Sequence, residues 1–169
     1  MPVSFPPLWP TEMASIKPTS SHLYDMDYYA WVQDQVRALR EHRTEEVDWE
    51  NLAEEIDDLG KSVRWSVESH LETLVEHLLK LAYAREIVRT RNARLWEGTV
   101  RLARYKIRRK LTQNPSLRSI LAELFADAYE AGQIMASAKM RLLENSIPDT
   151  PPWTLEQVMD DNFVPKPAS

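Results

Sequence analysis

The sequence predicts an all-α fold. It reads as an up-and-down helical bundle of about four to five helices, one of them very long or kinked, between a proline-rich N-terminal arm and a short C-terminal helix. Two observations carry this. Of eleven prolines, five lie in residues 1–18 and five in 148–167, leaving only Pro115 between Thr19 and Ile147. Proline inside a helix removes a backbone donor and clashes with the preceding turn, so its scarcity leaves the middle of the chain free to coil. Glycine occurs only at 60, 98 and 132, which is too little turn chemistry for a sheet protein. At 169 residues the chain is long enough to bury one core. The domain organisation expected is an arm over 1–22, one bundle over 23–165 and a tail over 166–169.

Asp25 or Asp27 opens the first helix, because an acidic cap suits the positive end of the helix dipole. Its apolar face is Tyr28, Val32, Val36 and Leu39, with Tyr29 and Trp31 beside it, and it ends near His42. Asp48 caps the next segment, where Leu52, Ala53, Ile56, Leu59, Val63, Val67, Leu71, Leu74, Leu78 and Leu81 step by three or four without losing phase. That spacing predicts one helix from about Trp49 to Tyr83, roughly 50 Å long. Gly60 with Ser62 either kinks it or splits it in two.

Residues 84–93 read as a connection, followed by a helix with Leu95, Leu102, Ala103, Ile107 and Leu111 inward. Asn114-Pro115 marks a restart, an N-cap followed by proline at the first helical position. From there Leu117, Ile120, Leu121, Leu124, Ala128, Ala131, Met135, Ala138 and Leu142 keep helical spacing. Small residues at 126, 128, 131, 132, 136 and 138 admit a neighbouring helix closely. Thr154 and Gln157 form a capping box for a last short helix ending near Asp160.

Several ordered pieces of this chain are similar to a known family. They are Tyr24-Asp25, Asp27-Tyr28-Tyr29-Ala30-Trp31, Asn51-Leu52-Ala53-Glu54-Glu55-Ile56 with Leu59-Gly60, and His77-Leu78-Leu79-Lys80. Trp96 with Thr99-Val100, Asn114-Pro115-Ser116-Leu117, and Trp153 to Val158 followed by Phe163 and Pro165 complete the set. Together they resemble the bacterial family catalogued as domain of unknown function 29, over about 24 to 165. The resemblance implies an all-helical fold and no activity. The chain departs from that pattern at Tyr83-Ala84-Arg85, where a glutamine–proline turn is usual, and at Leu95, where serine usually precedes the tryptophan.

Composition excludes several chemistries. With no cysteine there is no disulfide, zinc-thiolate site, iron–sulfur cluster or thiol nucleophile. Neither a phosphate-cradling glycine loop nor the glycine-flanked turn of a serine hydrolase is present. No cofactor is expected. No apolar run approaches membrane-spanning length, and residues 1–10 lack the basic region of a secretory signal, so the expected setting is the cytoplasm, without a membrane partner.

Charge is polarised. Residues 85–118 carry eleven basic and two acidic side chains, whereas 41–58 carry nine carboxylates against Arg43. Arg101, Arg104, Arg108, Arg109 and Lys110 therefore form a candidate nucleic-acid face, since phosphates are met by Lys/Arg clusters. The competing reading, which is favoured, pairs the basic helix with the acidic one across a bundle seam.

Glu54, Glu55 and Asp58 with His77 form a candidate metal set, because Glu54 and Asp58 lie one turn apart. The glutamate-x-x-histidine pairs of di-iron bundles are missing. Arg64 and His70 form a candidate catalytic pair, their spacing similar to that of the HEPN helical ribonucleases, with arginine stabilising phosphoryl charge and histidine moving a proton. On one helix they point about 120° apart. The reading preferred overall is a non-enzymatic module working through protein contacts, self-association above all. Nucleic acid is the second partner class, and a metal-binding bundle the third.

Overall fold

A computed structural model describes residues 20–141 and 146–168. Among them are six α-helices, two 3-10 turns and no strand, so the fold is an all-α helical bundle. The chain forms two compact units, divided between Asp58 and Leu59. Residues 1–19 of the expected arm, and Leu142, lie outside the described residues; 20–22 belong to the first helix.

In the unit that ends at Asp58, α1 (Ser20–Met26) and α2 (Tyr28–Arg40) meet at Asp27, whose carboxylate accepts the Ala30 N–H at 3.0 Å. The buried stripe of α2 is Trp31, Gln35 and Ala38, not the expected Tyr28, Val32, Val36 and Leu39; Tyr28 and Leu39 are exposed. The cause is polar. Gln35 accepts the backbone N–H of Asp48 at 2.8 Å, and the Trp31 indole N–H donates to the Asp48 carboxylate at 3.3 Å. Both bonds pin the face of α2 to the start of the next helix, α3 (Trp49–Tyr83).

Helix α3 runs unbroken from Trp49 to Tyr83 through Gly60, which settles the choice between one helix and two. Asp48 accepts the Asn51 N–H as its cap. Ile56 and Leu59, expected inward, are exposed, and the buried stretch begins at Val67.

In the unit that starts at Leu59, the later turns of α3 pack with α4 (Glu86–Gln113), α5 (Leu121–Met140) and α6 (Leu155–Met159). The core holds Leu71, Leu74, Leu78, Val100, Ile107, Leu124, Ile147 and Val158. The connection expected over 84–93 is in fact only Ala84 and Arg85. Thr90 and Asn92 donate back to the carbonyls of Glu86 and Val88, so these polar side chains ride on the helix instead of ending it. Asn114-Pro115 does restart the chain, but as a 3-10 turn over Pro115–Ile120, with Asn114 donating backwards to the Lys110 carbonyl. The small-residue prediction for α5 holds. A Cβ at Gly132 would stand 2.7 Å from Val75 Cγ1 and 3.1 Å from the Glu76 nitrogen, so only glycine lets the helices approach this closely. The capping box of α6 forms as expected.

Candidate functional site

Two of the five basic residues proposed for nucleic acid are tied into the fold. Arg104 is only 1% exposed, and its guanidinium donates to the carbonyls of Val158 at 2.8 Å, Phe163 at 2.9 Å and Asp161 at 3.4 Å. Burial pushes its pKa down, partly offset by the nearby Asp161 carboxylate. Arg108 donates to the Met159 carbonyl and pairs with Asp161 at 2.6 Å. These two arginines clasp the end of α6 and the segment that follows it. Arg101 and Arg109 are exposed and Lys110 is half-buried.

The metal candidates are scattered. Glu55 accepts the phenol groups of Tyr24 at 2.7 Å and Tyr28 at 2.6 Å. That hydrogen bond, with some burial, pushes the Tyr24 phenol up to about 12. Glu54 and Asp58 are on the surface. His77 lies nineteen residues beyond Asp58 on α3, about 28 Å by helix rise. Its Nδ1 donates to the Thr73 carbonyl at 2.8 Å, and burial lowers its pKa, against the raising effect of that bond. Among the described residues no three His, Asp or Glu side chains are arranged to hold a metal ion.

Arg64 and His70 also serve different neighbours. Arg64 pairs with Glu123 of α5 at 3.0 Å. His70 is lowered in pKa by burial and then by Lys106 and Lys110 of α4. One side chain looks to α5 and the other to α4, which is how their 120° divergence resolves.

Two features went unnoticed in the sequence. The first is a buried ion cluster: Glu76 accepts from Lys80, one turn on, and from Lys139 of α5 at 2.7 Å. Glu76 and Lys80 are both buried, and Lys80 stands 6.0 Å from the Trp96 ring centroid. Burial works against the Glu76 charge, but the two ammonium groups more than offset it and hold the carboxyl below its usual range. The one-turn spacing of Glu76 and Lys80 was visible in the sequence, but not that the pair would be buried.

The second is the phase of α4. Leu95 and Leu102, expected inward, are 69% and 52% exposed; the buried side is Trp96, Val100, Ala103, Arg104, Ile107 and Leu111. The steps of four, three, four and four from Trp96 to Leu111 were the available signal. The outward side carries Arg91, Leu95, Gly98, Leu102, Tyr105 and Arg109, also stepping alternately by four and three. Both leucines and Tyr105 are large apolar surfaces in water.

No helix among the described residues is long and apolar enough to cross a membrane. The chain belongs to the family described as Domain of unknown function DUF29, which matches residues 23–164. That family brings no assigned activity with it. No curated protein and no solved structure is significantly similar to the chain.

Proposed function

We propose that the protein is a non-enzymatic helical module that acts through contacts with protein surfaces, and that the outward face of α4 makes the contact. The observation that supports this is the four-and-three alternation on that face. Leu95, Leu102 and Tyr105 are exposed in the spacing that lets one helix seat against another. Ordinary surface helices leave apolar side chains scattered, not aligned opposite their buried side. On this reading the setting is cytoplasmic.

A photo-crosslinking residue replacing Leu102 tests the reading in cells. A discrete adduct from position 102, lost when Leu95 is changed to Asp and missing from the same probe at exposed Glu130, is expected. A protein that gives no adduct from 102 at any expression level would end this reading.

A further inference from the structure

Building on the contact role of α4, we propose that its outward face receives the first three turns of α3 from a second copy of the chain. Helix α3 presents a matching surface. Trp49, Ala53, Ile56, Gly60 and Val63 step by four, three, four and three, and the first four are exposed. Two exposed seams of the same period on one chain suit a coiled-coil-like pairing, in which such positions interlock.

Charge selects the partner. The α4 face is rich in arginine, with Arg91 and Arg109 in the seam and Arg94 and Arg101 along its flank. A second α4 would set like charges together. The α3 seam is flanked instead by Glu50 and Asp57, seven residues apart, as Arg94 and Arg101 are seven apart. In a parallel pair with Trp49 level with Gly98, Arg94 falls beside Glu50 and Arg101 beside Asp57, at the flanking positions that set coiled-coil pairing.

That register also accounts for two glycines. A side chain at Gly60 or Gly98 would meet nothing within 4 Å, so neither is required by the chain's own packing, and glycine weakens a helix interior. In the paired register Trp49 lies over Gly98, Ala53 meets Leu102, Ile56 meets Tyr105, and Gly60 faces Arg109. Three of these four layers oppose a large side chain to a small one. The contact joins unlike surfaces, so copies close into a ring or dimer, or propagate.

The absence of cysteine makes the test clean. Ala53→Cys and Leu102→Cys variants are prepared separately, checked for helicity, mixed and oxidised. A disulfide-linked dimer should form in the mixture and not in either variant alone. In sedimentation velocity, Arg94→Glu with Arg101→Glu, and Glu50→Arg with Asp57→Arg, should each lose self-association, and mixing the two double variants should restore it. Equal crosslinking within single variants, no crosslink in the mixture, no restoration by charge exchange, or a wild type that stays monomeric would each overturn the pairing. So would loss of the cross-link in favour of anionic vesicles or RNA on the α4 face. If the probe at 102 captures a different protein while the copies stay apart, the contact role of α4 stands and this pairing falls.

Discussion

Replacing Arg104 by methionine keeps the length of a side chain that is almost wholly buried while deleting its own donors to the end of α6 and the segment that follows, leaving only those of Arg108. Two of its bonds are short, 2.8 Å to the Val158 carbonyl and 2.9 Å to that of Phe163, and a third to Asp161 is long at 3.4 Å. A hydrogen bond with one charged partner contributes about 1.5–3 kcal/mol, so losing the two short ones costs about 3–6 kcal/mol if the orphaned carbonyls stay put. The segment has an escape, however. It can peel from α4, and the loss is then capped by what docking contributes, chiefly the full burial of Val158, worth about 1.5–3 kcal/mol. The expected loss is therefore about 1.5–3 kcal/mol, the smaller of the two figures, because the chain takes the less costly route. Arg104→Lys keeps the charge but not the fork of donors, and should fall between methionine and wild type. Urea unfolding measures the loss. Hydrogen exchange at the Val158 and Phe163 amides, bonded to the Thr154 and Asp160 carbonyls, shows whether the segment has detached. The reasoning is refuted if Arg104→Met stays within about 0.5 kcal/mol of wild type, the range of an ordinary surface change, with both amides still protected.

Two glycine substitutions should move stability in opposite directions. Gly132→Ala forces a Cβ against Val75 and the α3 backbone and should destabilise by about 1–3 kcal/mol. Gly98→Ala meets open space and should stabilise the isolated chain by about 0.5–1 kcal/mol in dilute thermal melts. Glu76→Gln leaves Lys80 buried beside a neutral partner and should cost about 3–5 kcal/mol, read by urea midpoint; Lys80→Met in the same chain should recover part of it. Stability should also fall on acidification in two windows. Burial holds His70 and His77 below their ordinary 6.5, so below that pH the unfolded chain binds more protons than the folded one and stability drops. Glu76 is held below its ordinary 4.5, so its contribution persists to that pH and is lost as acidity passes through the lower folded value. Changing both histidines to glutamine should flatten the first window only, in unfolding measured from pH 7.5 to 3.5.

The helices were legible because scarce proline and three-and-four spacing act locally, and α3 runs over Trp49–Tyr83 as that spacing implies. Facing was harder. On α2 a glutamine took an inward position because its amide oxygen satisfies a backbone N–H thirteen residues away in sequence, beyond the reach of any local pattern. On α4 a buried arginine looked like surface, since nothing in Arg104's neighbourhood announces three carbonyls arriving from 158–163. Charge runs leave the partner of each cation open for the same reason. The count over 85–118 was correct, but which cations meet solvent depends on where the chain returns. Helical spacing groups Glu54 with Asp58, but His77 joins them by residue type alone, and helix rise separates it from them.

Glu76 is held at both its ends by the same helix. Its main-chain nitrogen lies under the bare Cα of Gly132, while its carboxylate takes the ammonium of Lys139, seven residues along α5. Sliding α5 by one position would bring the Cβ of Ala131 or Gln133 against Val75 and draw the lysine off its oxygen. The pair thus works as a detent, with a single resting place along α3, and thermal jostling of the bundle should appear as side-chain motion before it appears as helix slippage.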